Sequence, residues 1–161
     1  KDKTPIQYSG PIETVENVRV LYSENALLQV ELTTPLQYRF KDDHKVFPDS
    51  INVRFYDPMG VSTVTTLRAD SGRHDALKNV YVVKGRVNII NLIENQRLYT
   101  TELTWDPVSR KVYTEAEVLV ENISTGERTR ALGGMTANQN FTNVTLRRTS
   151  AVFSMPLLSS P

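Results

Sequence analysis

Alternation of apolar and polar residues with a period of two is the feature that most constrains the fold of this chain. It is clearest over residues 85–120, which read GRVNIINLIENQRLYTTELTWDPVSRKVYTEAEVLV. Val87 and Ile89 alternate with polar neighbours, and Leu103 and Trp105 continue the pattern further along. A strand with one buried face produces this period, whereas a helix repeats every 3.6 residues. The stretch therefore predicts a meander of antiparallel strands.

The same alternation recurs along the rest of the chain, at intervals of about eight to twelve residues separated by turn residues. Composition agrees with this pattern, because the chain has 18 Val and 17 Thr against only 7 Ala. β-Branched side chains suit the pleated surface of a sheet. No segment shows a sustained helical period with capping residues. We therefore predict an all-β sandwich, roll or barrel.

Glycine, proline and charged clusters divide the chain into strands and segments. The predicted interruptions are Pro35 at the end of a strand, the charged loop Lys41–Lys45, Ser71-Gly72 after a Thr-rich strand, Gly85, and a bulge or sharp bend at Gly133-Gly134. A length of 161 residues favours one domain. We predict an extended leader over residues 1–16, a single β domain over 17–155 and a tail over 156–161.

Charge and cysteine content exclude several functional classes. The chain has 19 basic and 18 acidic residues spread along its length, so no basic patch predicts a nucleic-acid partner. The absence of cysteine excludes disulfides, thiolate catalysis and cysteine-bound metal. No apolar run approaches the length needed to cross a bilayer.

Candidate catalytic residues are sparse. The two histidines, His44 and His74, lie in polar segments, where a surface role is far commoner than a catalytic or metal-binding one. A pair of carboxylates for glycoside hydrolysis could come from Glu94, Glu102, Asp106, Glu115 or Glu117. Most of these alternate with apolar residues and should face solvent. We therefore expect no enzymatic activity, no metal and no cofactor.

The order of motifs in the second half of the chain resembles a known family. VYVVKGRVNII is followed by LYTTELTWDP, and then by KVYT, EVLV and GMTANQNF. This order resembles the LptC family of periplasmic lipopolysaccharide-export proteins and the related LptA/OstA module. The resemblance covers about Val18 to Phe153, and LYTTELTWD over residues 98–106 is its most specific part. Where the family tends to have Gly-x-Gly before a methionine, this chain has Leu132-Gly133-Gly134-Met135.

The resemblance implies an open, twisted antiparallel β-jellyroll, a V-shaped roll of two sheets. It further implies a carrier that accepts lipopolysaccharide from an inner-membrane ABC transporter and passes it to an LptA-like periplasmic protein joined by edge-strand pairing. We expect a periplasmic location, with tethering to the inner membrane by an N-terminal helix or lipid anchor that these residues do not include. The sequence leaves a homodimer open.

Under this interpretation the apolar faces of the strands line a lipid-binding groove. The residues assigned to the groove are Val30, Leu32, Tyr38, Phe40, Val53, Phe55, Val87, Ile89, Leu103, Trp105, Val118, Val120, Met135 and Phe141. The alternative is a β-sandwich binding or adhesion module for carbohydrate or protein, in which the same residues form a closed core. In that alternative Trp105 could also be a sugar-stacking platform, although a tryptophan in an alternating strand is more often core or pocket lining.

Overall fold

The structure, a computed structural model, describes residues 8–152. The strands are β1 (Glu13–Glu24), β2 (Leu27–Arg39), β3 (Lys45–Phe47), β4 (Ile51–Tyr56), β5 (Thr63–Ala69), β6 (Ser71–Asp75), β7 (Val80–Asn91), β8 (Gln96–Asp106), β9 (Lys111–Thr114), β10 (Val118–Asn122), β11 (Arg128–Ala131), β12 (Met135–Asn138), β13 (Val144–Leu146) and β14 (Thr149–Val152). Residues 8–152 contain no helix. The predicted tail, the domain limit at 155 and the first seven residues of the predicted leader lie outside the described residues.

The fourteen strands form one antiparallel sheet, which is a meander of nine long strands folded across its middle. Four long strands are continuous: β1, β2, β7 and β8. The other five are each broken in two, as β3/β4, β5/β6, β9/β10, β11/β12 and β13/β14. Three of the continuous strands, β2, β7 and β8, change partner on one side halfway along: residues 80–84 of β7 pair with β6, whereas residues 88–91 pair with β5. Five of the nine strands break along one line, and the four continuous strands pass from one half of the sheet to the other along the same line. We call this line the crease; residues 34–36, 85–86, 115–117, 132–134 and 147–148 lie on it.

The crease divides the sheet into two layers. Layer A contains β3, β6, β9, β12 and β13 with the adjoining halves of the continuous strands, and layer B contains β4, β5, β10, β11 and β14 with the other halves. The layers face each other, since the ring of Phe55 in β4 lies 6.0 Å from the ring of Trp105 in the layer A half of β8. The predicted all-β fold is confirmed, and the folded meander is consistent with a β-jellyroll.

Pro35 does not end a strand, so that prediction was wrong. β2 continues through it, because Pro35 is exposed and lies at the crease, where β2 has left β4 and not yet met β3. On the other side, the β1 ladder skips from Val18↔Thr34 to Glu16↔Leu36, and Asn17 takes a φ of 53°. Asn17 and Pro35 are therefore the two unpaired residues of an otherwise unshifted ladder, so no ladder hydrogen bond needs the missing proline N–H.

The predicted breaks at Lys41–Lys45 and Ser71-Gly72 also differ from the structure. Lys45 begins β3 and Ser71 begins β6, and these two short strands pair with each other in layer A. Neither is marked in the sequence, because β3 has only three residues and β6 has no apolar side chain. Gly72 lies against the core, since a Cβ there would be 3.4 Å from the side chains of both Phe47 and Ile51, about the distance of an ordinary van der Waals contact.

Two glycine predictions have clear outcomes. Gly85 interrupts the alternation as a bulge inside a continuous β7, with a φ of 81°, and Arg86 follows at 42°. The bend at Gly133-Gly134 is confirmed: Gly134 has a φ of 85°, and a Cβ on it would lie 2.0 Å from the carbonyl oxygen of Thr114. The predicted leader overlaps β1, which begins at Glu13 because its first residues pair with the end of β2.

Candidate lipid-binding site

Most residues assigned to the groove come together between the two layers. Twelve of the fourteen have exposed fractions of 8% or less and belong to one apolar cluster: Val30, Leu32, Val53, Phe55, Val87, Ile89, Leu103, Trp105, Val118, Val120, Met135 and Phe141. The alternation of the strands places eleven of them on the inner face, and Phe141 reaches it from the loop between β12 and β13. Ion pairs such as Arg19–Glu31, at 2.8 Å, lie on exposed parts of the sheet. The inner face is therefore continuous and apolar across both layers. Its role in lipid binding stays a prediction.

Tyr38 and Phe40 are not brought to this cluster, and both are half-buried. Tyr38 pairs with Val46, and the next residue of β3, Phe47, is buried in the core. Because neighbours in a strand point to opposite faces, Tyr38 lies on the outer face of layer A. The irregular segment at Pro35 has shifted the alternation of β2.

Several core residues were missed by the sequence reasoning. Phe47, Ile51, Leu67, Tyr81, Leu98 and Val112 all belong to the same cluster. The alternation of Leu98 with Arg97 and Tyr99 was a sufficient signal for this residue. Phe47, in contrast, lies in a strand of only three residues, which is too short to show a period.

Aromatic rings gather where the cluster approaches the surface. The ring of Trp105 lies 5.1 Å from those of both Tyr22 and Tyr81, edge-on to the first and stacked on the second. Its Nε1 donates a hydrogen bond to Oε1 of Gln139, at 3.2 Å. Trp105 is only 5% exposed, so it is a core or pocket-lining residue, as the sequence favoured, and no sugar platform.

We call the side opposite the crease the mouth; there the hairpin tips of layer A (residues 107–110 and 139–143) meet those of layer B (25–26 and 57–62). Side chains close the mouth. The hydroxyls of Tyr22 in layer B and Tyr81 in layer A lie 2.5 Å apart, and Glu24 forms an ion pair with Arg110. Burial raises the pKa of both tyrosine hydroxyls. A small cavity of about 190 Å³, bordered by Tyr22 and Trp105, lies beside these contacts.

The catalytic and metal-binding candidates are not assembled into a site. Nδ1 of His44 lies 3.1 Å from Asp42, and Nε2 lies 3.5 Å from Asp75, while His74 bonds to Asn79 at 2.8 Å. Among residues 8–152, no group of three or more His, Asp or Glu could hold a metal ion.

The candidate carboxylates have local structural roles or lie in exposed positions. Asp106 accepts hydrogen bonds from the amides of Val108 and Ser109 in the turn between β8 and β9. Glu117 pairs with Arg130 at 2.8 Å. Glu94 and Glu115 are exposed, and Glu102 is half-buried.

The two ends of the meander present edge strands. Within the described part of the chain, β1 pairs only with β2, β13 only with β12, and β14 only with β11. An edge strand offers unpaired N–H and C=O groups to another strand. The helix needed to cross a bilayer does not occur in residues 8–152.

Comparison with known proteins gives one family. The profile described as "Lipopolysaccharide-assembly, LptC-related" matches residues 4–150, a range that contains nearly the whole meander. No curated protein matches the chain. The family acts in lipopolysaccharide transport and is associated with the periplasm and inner membrane. Since its profile covers both layers, the apolar interior and the edge strands, the chain belongs to the LptC-related family of lipopolysaccharide-assembly proteins.

Proposed function

We propose that the chain carries lipopolysaccharide by holding its acyl chains between layers A and B. It accepts the lipid from an inner-membrane ABC transporter and passes it to a periplasmic bridge of similar jellyrolls. The observation that carries the proposal is the continuous apolar cluster shared by two layers whose mouth is closed by side chains. Each CH₂ removed from water contributes about 0.8 kcal/mol, so an apolar interior of this kind can retain a lipid without any catalytic group.

Entry of an acyl chain requires the mouth to open. Ile89 and Leu103 are 0% and 1% exposed, so a lipid reaches them only after side chains at the mouth have moved. The long strands keep the layers joined at the crease during this movement. The energy for the movement comes from the transporter, because the sequence has no nucleotide-binding motif.

Edge-strand pairing supplies the contacts with the neighbouring jellyrolls. The twelve-residue β1 forms one edge, and β13 with β14 forms the other. A second jellyroll can add its own edge strand at either side, and backbone hydrogen bonds then continue the sheet. Two edges allow the transporter and the bridge to be bound at the same time.

Photo-crosslinking in cells tests the lipid site. We expect crosslinkers at Phe55, Ile89 and Trp105 to form adducts with lipopolysaccharide. The matched controls are Arg54, Ile90 and Thr104, which neighbour these residues in the same strands and point to the other face. Adducts at the controls as often as at the inward positions would contradict the proposal. Absence of adducts at all three inward positions would favour the closed-core binding module.

The same method tests the edges. We expect a crosslinker at Leu21 in β1 and one at Ala151 in β14 to capture two different partners, one the transporter and the other the bridge protein. Asn52, in the interior strand β4, is the control and should capture neither. A product of twice the chain's mass would identify a homodimer at that edge instead.

A further inference from the structure

The loop of residues 139–143, which we call the Phe141 loop, joins β12 to β13 at the mouth. Its other residues are polar, yet the Phe141 side chain is 1% exposed and lies inside the apolar cluster. The ring packs edge-on against that of Phe55 in layer B, with 6.0 Å between centroids. A loop of layer A thus inserts an aromatic ring into the space between the layers.

The backbone of Phe141 is held in an unfavourable conformation. Its φ is 60°, in the left-handed region that a bulky residue seldom adopts. Such strain persists only where the surrounding contacts enforce it, and it is concentrated at functional sites. Release of the Phe141 loop would relieve this strain, so the inserted position is one that the fold must maintain through other contacts.

Two buried polar residues of layer B maintain it. Nδ2 of Asn91 donates to the carbonyl of Phe141 at 3.1 Å, and Oγ1 of Thr65 donates to the carbonyl of Asn140 at 3.0 Å. Thr65 and Asn91 face each other across β5 and β7 and are 0% and 2% exposed. A buried polar group is costly unless it is hydrogen-bonded, and the loop supplies these two bonds.

Asn91 is oriented for this contact by its own turn. Its Oδ1 accepts hydrogen bonds from the amides of Ile93 and Glu94, both at 3.0 Å. Because the oxygen is fixed in the β7–β8 turn, the amide nitrogen points towards the Phe141 loop. The donor therefore stays in place whether or not the loop is docked.

The other end of the β12–β13 hairpin is fixed independently at the crease. Arg147, directly after β13, donates from Nε to the carbonyl of Gly133 at 3.0 Å and from Nη2 to those of Thr114 and Met135 at 2.9 and 3.2 Å. Its Nη1 also bonds to Thr136 Oγ1 at 2.7 Å. The hairpin is thus held at its base by Arg147 and along β12 by β9 as far as Asn138, so the movement considered next is confined to the Phe141 loop.

We propose that the Phe141 loop is an exchangeable plug, whose ring fills the inter-layer position that an acyl chain of lipopolysaccharide takes. Thr65 and Asn91 are the latch that holds the plug in the unloaded protein. An unfilled core would contain a destabilising cavity, and replacing the ring by an acyl chain keeps it filled. The inference rests on the proposed function and refines it: Phe141 leaves the site when lipid enters, whereas Phe55 remains as its wall.

Distance measurement by electron paramagnetic resonance tests the movement. The chain has no cysteine, so spin labels on Asn143→Cys and Ile93→Cys report only the separation of the loop from layer B. We expect purified lipopolysaccharide to lengthen this distance in a protein that also carries a crosslinker at Ile89. Adducts at Ile89 with an unchanged distance overturn the plug and leave the carrier function intact. Absence of adducts and of movement overturns both.

Variants of the plug and of the wall give a second test, with N-phenyl-1-naphthylamine as the fluorescent apolar probe. Phe141→Ala removes the competing ring, so the probe should bind about tenfold more tightly. Phe55→Ala is the control and should give no gain, because it removes wall contacts. Thr65→Val loosens the latch without altering the ring, and should tighten binding by a smaller factor even if Phe141→Ala does not fold. No gain with Thr65→Val, and none with Phe141→Ala where it folds, overturns the plug.

Discussion

The crease and the mouth close the same apolar interior by different means. At the crease, the backbones of β1, β2, β7 and β8 pass from one layer to the other, and tight turns carry the remaining strands across. At the mouth, side-chain contacts join the layers, such as the Tyr22–Tyr81 hydroxyl pair and the Glu24–Arg110 ion pair. A continuous backbone cannot separate, whereas side-chain hydrogen bonds can break and form again. In the proposed carrier mechanism, this difference makes the crease the hinge and the mouth the point of opening.

Changing Gly134 to alanine should have the largest effect on stability, because the added methyl group lies at the crease. The new Cβ would lie 2.0 Å from the Thr114 carbonyl oxygen at a φ of 85°. We expect a loss of more than about 4 kcal/mol in the free energy of unfolding, measured by urea denaturation. Gly126→Ala is the control: its φ is 73° with nothing within 4 Å of the added Cβ, so it should lose only about 1–2 kcal/mol. Equal losses would show that the close approach at the crease is unimportant.

Removal of the Arg147 guanidinium should come next. Arg147→Met deletes the hydrogen bonds that fix the base of the β12–β13 hairpin and should cost about 2–3 kcal/mol in urea denaturation. Arg148→Met, at the exposed neighbour, should cost little. If the crease only supports the fold, probe binding by the folded Arg147→Met protein should not rise. A rise would show that the crease also controls opening.

The tyrosine pair at the mouth should have a smaller effect that depends on pH. Tyr81→Phe removes one hydroxyl contact and should cost about 1 kcal/mol at neutral pH. Burial raises the pKa of Tyr22 and Tyr81 in the folded state, so their stabilisation is complete below the unfolded value, about 10, and is lost as pH rises above it. Urea denaturation at increasing pH should show a steeper fall for the wild type than for Tyr81→Phe. Tyr113→Phe, at an exposed site, should retain the wild-type slope.

Asp70 at the crease should give the smallest effect, and one with the opposite pH dependence. A hydrogen bond from Arg86 lowers the pKa of Asp70, so the carboxylate stabilises the fold above its unfolded pKa and loses this contribution as the pH falls through the folded value. Asp70→Asn should therefore weaken the dependence of the melting temperature on pH in the acid range, as measured by thermal unfolding. An unchanged dependence would mean that this exposed ion pair contributes nothing.

Alternation in the sequence was sufficient to predict much of the fold and most of the candidate site. It identified the meander over 85–120 as antiparallel strands. Eleven of the assigned residues share the buried face because the side chains of each strand alternate regularly between its bends, and the twelfth, Phe141, lies in a loop. Tyr38 does not share this face, because the alternation of β2 changes at the unpaired Pro35, and Phe40 lies beyond the end of β2.

The latch residues could not have been found in this way. Thr65 and Asn91 look like polar interruptions of an apolar face, and the carbonyl groups that explain them lie 75 and 50 residues further along the chain. Short strands such as β3 and β6 were missed for a related reason. Each is recognisable only through the strand that pairs with it.

The sequence by itself determined that this chain forms strands, which side chains occupy their apolar face, and the family to which the chain belongs. The tertiary structure decided where the meander folds, which residues meet across the mouth, and that Phe141 enters the interior from a loop and not from a strand. The physical reason is that a period of two is a local property of a strand, whereas pairing and layer contact depend on residues far apart in the chain. The crease and the mouth exist only once those distant residues have met.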